Sequence, residues 1–223
     1  MKILAVETSG DWCSVALWRD GHVASRALEA GQKQSSLTID MLTALLAGEG
    51  VAMREVDGFA YGAGPGSFTG LRIACGVVQG LALGAGKPVL GVGTLLALAQ
   101  ASGRQRVICC TDARMKEVYH AAYEQRGDIW HTVHEPGVHA PDSVPPADGG
   151  DWHGCGNGFT AYSEVLRARY AHQLSSVDAG AFPHARDIAV LAAPHFARGE
   201  GMAAEHAAPH YVRDRVALKT SER

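Results

Sequence analysis

Hydrophobic and polar positions along this chain fall into two successive blocks. Residues 2–7 are a compact apolar run that predicts a buried strand, and residues 13–18 alternate as a second strand after the turn Thr8-Ser9-Gly10-Asp11. Asp20-Gly21 is a hairpin signal leading into a third strand over residues 22–28. Residues 37–47 follow a helical period, with Ser35 and Ser36 as candidate caps, Asp40 in the first turn and Gly48 as a stop. An apolar strand over 57–61, a glycine-rich turn and a helix over 71–83 come next, then a strand over 88–92 and a short Leu/Ala helix from Thr94 to near Gly103. The order then restarts. Residues 106–111 predict a strand, Asp112-Ala113-Arg114-Met115 a turn, 117–123 an alternating strand, and 129–134 a third strand after Arg126-Gly127-Asp128. The two blocks lie roughly a hundred residues apart and share order rather than letters, which predicts internal duplication. Residues 135–158 hold four prolines and six glycines and read as loops, whereas 161–171 and 186–196 read as helices.

Composition narrows the classes. A chain of 223 residues with 47% hydrophobic letters can bury a substantial core in one large or two small domains. A net charge of −3 argues against a surface that grips nucleic acid unaided. No run of 18 apolar residues is apparent and the first residues enter a strand directly, so neither a membrane span nor a signal peptide is expected. The five cysteines form no C-x-x-C and sit mostly in apolar runs, the usage of a reduced, cytoplasmic protein.

The most specific stretch is residues 62–72, Gly-Ala-Gly-Pro-Gly-Ser-Phe-Thr-Gly-Leu-Arg. A strand, a glycine-rich turn and a helix start can aim free backbone N–H groups at an anion. A P-loop needs Lys-Ser/Thr after its last glycine, but Leu71-Arg72 follow Gly70; a dinucleotide fingerprint needs G-x-G-x-x-G, and three residues separate Gly66 from Gly70. The alternative is that the glycines simply allow a tight turn and a closely packed helix. Downstream, Gly76, Gly80 and Gly84 recur every fourth residue on one helix face, each costing roughly 1 kcal/mol of helix propensity, which suggests a backbone pressed against another element.

Other candidates for chemistry are weaker. Of the eleven histidines, His131, His134 and His139 invite a metal, but His131 and His134 are at odd spacing on a strand and face opposite sides. Ser67 lacks the G-x-S-x-G context of a nucleophile. Asp11, Asp112 and Glu117 read as turn acids, and the second turn carries Ala113, Arg114 and Met115 where a phosphate would want glycines. The turn Gly154-Cys-Gly-Asn-Gly158 has the composition of an adenine cup, with low specificity. The helix over 37–47 shows two apolar stripes, Leu37/Met41/Leu45 and Ile39/Leu42/Leu46. That surplus fits either a helix buried on both sides or a face that docks a partner.

Residues 3–9 with 13–17, residues 61–73 with Gln79-Gly-Leu-Ala-Leu83, residues 112–119 and residues 209–217 together resemble the TsaB (YeaZ) family of tRNA threonylcarbamoyladenosine biosynthesis. The resemblance spans the chain and is densest in its first hundred residues, with Glu7 standing where the family more often has Asp. It implies an α/β, actin-like (ASKHA) fold of two duplicated subdomains, residues 1–104 and 105–223, each a mixed sheet flanked by helices, with the last helix and tail able to pack back on the first. It also implies a cytoplasmic, non-catalytic partner of the threonylcarbamoyltransferase TsaD, working with the ATPase TsaE, homodimeric when alone, touching tRNA only through the complex, and holding no metal or cofactor. The paralogue's metal-binding histidine pair has no counterpart here, since residues 34–47 contain no histidine. The implied partner surface comprises Leu37, Met41, Leu42, Leu45, Gly76, Gly80 and Leu83. Vestigial nucleotide or anion loops would comprise Glu7, Thr8, Ser9, Gly64, Gly66, Ser67, Thr69, Arg72 and Asp112. Competing readings are an ATP-dependent phosphotransferase of the actin-like class and, more remotely, a metallopeptidase.

Overall fold

The computed structural model describes residues 1–213; residues 214–217 of the C-terminal motif lie outside the described residues. The first sheet is built from β1 (Lys2–Glu7), β2 (Trp12–Arg19), β3 (His22–Glu29), β4 (Gly58–Gly64) and β5 (Val89–Gly93), in the order β3-β2-β1-β4-β5. β1, β2 and β3 are antiparallel, and β4 and β5 extend the sheet in parallel. The second sheet repeats this plan with β6 (Arg106–Asp112), β7 (Val118–Arg126), β8 (Ile129–His139), β9 (Trp152–Cys155) and β10 (Leu174–Asp178), in the order β10-β9-β6-β7-β8. Again three strands are antiparallel and two are added in parallel.

Side-chain size decides which helix covers which face. From β1, β2 and β4 the large residues Leu4, Val6, Val15, Leu17, Phe59 and Tyr61 point to one side. There α1 (Gln34–Glu49) and α2 (Phe68–Ala85) cover them. The alternate positions Ala5, Ala16 and Ala60 point to the other side, against Ala185, Ala189 and Ala192 of α6 (Ala185–Ala197). Small residues on both partners let helix and sheet approach closely. Although α6 comes late in sequence, it therefore packs on the first sheet. α3 (Thr94–Ala101) sits beside α6 and covers one face of the second sheet through Leu95 and Leu98, while α4 (Gly158–Ala161) and α5 (Ser163–Tyr170) cover the other.

Several expectations need correction. α1 begins at Gln34; Ser35 and Ser36 do not cap it, and Ser36 Oγ instead donates to Lys33 O at 3.0 Å. It ends at Gly50 in the left-handed region (φ 64°), two residues past Gly48. Residues 135–158 are not all loop. β8 continues to His139 because Pro136 falls in a register shift of an edge strand, where no ladder bond is lost. β9 lies in the same stretch, fully buried and too short to show alternation. The helix expected over 161–171 is two short helices broken at Tyr162. Finally, α2 is, by length and composition alone, apolar enough to cross a membrane. Its Leu71, Ala74, Cys75, Val78 and Ala82 are buried against the first sheet.

Candidate functional site

Because the two sheets share one strand order, the turn after β1 and the turn after β6 flank a common cleft, a cavity of about 1080 Å³. Ser9, Gly66, Ser67 and Thr69 line it from the first half, Asp112, Arg114 and Asn157 from the second. Glu7, Thr8, Gly64 and Arg72 do not line it.

The glycine-rich run owes its composition to the β1–β2 turn. Thr8 Oγ1 donates to Gly70 O at 2.7 Å, and Ser67 N donates to Ser9 O at 2.7 Å. A Cβ on Gly70 would overlap Thr8 O, one on Gly66 would meet the Ser9 side chain, and one on Gly62 would overlap the Glu7 carboxyl. Gly64 has φ +123° and faces His210 O. Four glycines are thus required by close packing, without appeal to an anion. Ser67 caps α2, its Oγ accepting from Gly70 N at 3.4 Å. Arg72 turns outward: its guanidinium lies 3.7 Å over the Phe68 ring and its Nε donates to the Tyr211 hydroxyl at 2.9 Å.

Beneath this loop Glu7 is fully buried. One carboxyl oxygen accepts from Ser9 N at 2.5 Å; the other finds no partner among the described residues. Burial pushes its pKa up to about 7 against the lowering effect of Ser9.

The second turn is organised differently. Asp112 Oδ1 accepts from Arg114 N at 2.9 Å and its Oδ2 pairs with Arg114 Nη1 at 3.1 Å, while Asp112 N donates to Asn157 Oδ1 at 2.8 Å. Arg114, Met115 and Lys116 are consecutive left-handed residues, with φ of 61°, 54° and 62°. The Asp112 carboxylate is thus engaged by its own turn. Gly156 (φ +105°) and Gly158 both press on Cys110 O, so the turn expected to cup an adenine is a packing device as well. The cleft mouth also holds a stack absent from the sequence reading, Trp12 on Phe182 with centroids 4.2 Å apart. Ring spacing of that kind depends on tertiary contact and leaves no local signal.

The expected partner surface divides in two. Met41, Leu42 and Leu45 are buried in the chain's own core and Leu37 is half-buried beside them. The two apolar stripes of α1 are one broad face, since positions 41, 42, 45 and 46 adjoin; only Ile39 is exposed. On α2 the outcome is the reverse. No atom of the described residues lies within 4 Å of a Cβ built at Gly76, Gly80 or Gly84, so among the described residues the glycine stripe is pressed against nothing. Leu83 beside it is 68% exposed.

The histidines gather elsewhere. His120 is fully buried, with His134 and His139 each 5.7 Å away by ring centroid, and neither of its nitrogens has a hydrogen-bond partner among the described residues. Burial, then the two neighbours, lower its pKa to about 3. Among the described residues no three His, Cys, Asp or Glu side chains are placed to hold a metal ion.

Comparison with known proteins agrees with this geometry. The family described as TsaD, tRNA N6-adenosine threonylcarbamoyltransferase, matches residues 28–220. The tRNA threonylcarbamoyladenosine biosynthesis protein TsaB of Escherichia coli is 38% identical over 98% of this chain and 97% of its own length; that of Haemophilus influenzae is 31% identical over 98% and 96%. The solved structure of YeaZ from Pseudomonas aeruginosa is 40% identical, covers 94% of this chain and 99% of its own, and superposes with a TM-score of 0.87. The two-sheet architecture is the actin-like fold. The chain belongs to the TsaB (YeaZ) family of tRNA threonylcarbamoyladenosine biosynthesis proteins.

Proposed function

We propose that this protein is a non-catalytic partner subunit in tRNA threonylcarbamoyladenosine formation. It pairs through the exposed face of α2 with a TsaD-like threonylcarbamoyltransferase, works with a TsaE-like ATPase, and self-associates through the same face when alone. The observation carrying this reading is the open stripe of Gly76, Gly80 and Gly84 beside exposed Leu83. Three glycines cost a helix roughly 3 kcal/mol of propensity relative to alanine, and nothing among the described residues packs on them. Small residues in register let the backbone of a second helix come close, with Leu83 as an apolar anchor. The absence of catalysis is supported by the two turns, one closed by Thr8–Gly70 and Ser9–Ser67 bonds, the other by Asp112–Arg114.

Sedimentation of the protein mixed with the TsaD-like transferase tests this. Leu83→Asp should keep its fold and lose the complex; wild-type complex formation by the folded variant would refute the assignment. The cavity favours a second reading, an ATP-dependent phosphotransferase. Calorimetric titration with Mg-ATP separates the two, because a dissociation constant in the low micromolar range, about −8 kcal/mol, would support the phosphotransferase.

A further inference from the structure

The C-terminal segment crosses from one half of the molecule to the other. Tyr61 Oη donates to Ala208 O and accepts from Ala208 N, both at 3.0 Å, and His210 N donates to Ala63 O at 2.6 Å. Tyr211 packs against Phe68, the rings tilted by 30° with centroids 5.5 Å apart, and its hydroxyl accepts from Arg72 Nε. All of these contacts are to β4 and α2. Two residues later the partners belong to the second half: Arg213 Nη1 donates to Ala113 O at 2.8 Å, and Nη2 pairs with the Glu117 carboxylate. The Arg213 side chain is only 13% exposed, and its guanidinium lies 5.8 Å from the Tyr119 ring centroid.

The turn gripped by Arg213 is the one with three left-handed residues, Arg114, Met115 and Lys116. Non-glycine residues there cost free energy individually, and a run of them persists only where surrounding contacts over-determine the backbone. Inside the turn, Ala113 N donates to Glu117 O at 2.9 Å and Glu117 N to Arg114 O at 3.0 Å. Arg213 adds a fixed pair of donors from outside, to Ala113 O and the Glu117 carboxylate. His210, Tyr211, Val212 and Arg213 also line the cavity.

We propose that residues 208–213 are a latch that ties the two halves together beside the cleft: anchored on the first half by Tyr211, they hold the strained second turn through Arg213, so that releasing either end frees that turn. A latch predicts communication between halves, which local packing does not. Hydrogen exchange by mass spectrometry on the full chain tests this in wild type, Arg213→Met and Tyr211→Ala. Arg213→Met keeps most of the side-chain stem and removes the guanidinium; it should speed exchange of the Ala113 and Glu117 amides at least about tenfold. Tyr211→Ala, whose lost contacts are all in the first half, should do the same to those second-half amides. The amides of Leu4 and Val6 in β1 should keep wild-type protection, showing that opening is local. The latch is overturned if Arg213→Met leaves the turn protected, if Tyr211→Ala affects only residues around Phe68 and Arg72, or if β1 loses protection equally.

Discussion

The two turns that flank the cleft sit at equivalent places in two sheets of the same strand order, yet they are built by opposite means. The first is closed by glycines, with Gly62, Gly66 and Gly70 giving up side chains so that Glu7, Thr8 and Ser9 can approach. The second has no glycine between Asp112 and Glu117 and instead holds three side-chain-bearing residues at positive φ. A cleft that clamps a phosphate chain needs donors exposed on both turns. Here Thr8 and Ser67 of the first half and Asp112 of the second instead bond to the protein itself. Duplication has preserved the strand order and not the construction of the turns.

The halves also differ in the buried ionisable group each carries, so their pH responses should oppose. Unfolded His120 takes up a proton near pH 6.5, whereas folded His120 stays neutral down to about 3. Its stability contribution is therefore complete above pH 6.5 and falls as pH drops, by about 5 kcal/mol at pH 3. Urea unfolding of His120→Phe should show that acid slope reduced; an unchanged slope would mean that the histidine site is not responsible.

Next in size is the steric test of the first turn. Gly70→Ala forces a methyl onto Thr8 O and should destabilise by about 3 kcal/mol or more, the upper end for overpacked core sites. Thermal unfolding within 1 kcal/mol of wild type would show that the glycine run is not a packing requirement.

Glu7 gives the opposite pH slope to His120. Unfolded, its carboxyl ionises near 4.5; folded, near 7. Its contribution is intact below 4.5 and declines as pH rises to 7, by about 3 kcal/mol. Glu7→Gln should abolish this decline between pH 4.5 and 7, and retention of it would relocate the titrating group.

The smallest effect separates the α2 stripe from the first turn. With no described atom near their Cβ positions, Gly76→Ala and Gly80→Ala should each stabilise the monomer by about 1 kcal/mol in urea unfolding at concentrations too low for self-association. Loss of stability would mean that the stripe is packed after all.

Much of this organisation was legible in the sequence, and the failures have specific causes. β1 was visible as a compact apolar run, β2 by its alternation, and β3 because Asp20-Gly21 adopts the positive φ values (48° and 93°) that its letters suggest. The family resemblance spans the chain and is most specific at residues 61–73, whose Gly62, Gly64, Gly66 and Gly70 are constrained by close contacts. β10 escaped because Leu174–Asp178 is a short, half-exposed edge strand that pairs only with β9. Neighbouring residues 41 and 42 of α1 were assigned to separate faces although they share one, so core leucines passed for a surface. The latch contacts of Arg213 join positions about a hundred residues apart, and no local pattern announces them.

Sedimentation velocity of Gly80→Leu, alone and with the TsaD-like transferase, tests the central claim most directly. The site is open, so the leucine should leave the fold and circular dichroism of the chain unchanged. The account predicts a monomer when the variant is alone and at least about 100-fold weaker binding to the transferase, roughly 2.7 kcal/mol. A folded Gly80→Leu chain that still self-associates and binds the transferase with wild-type affinity would contradict it.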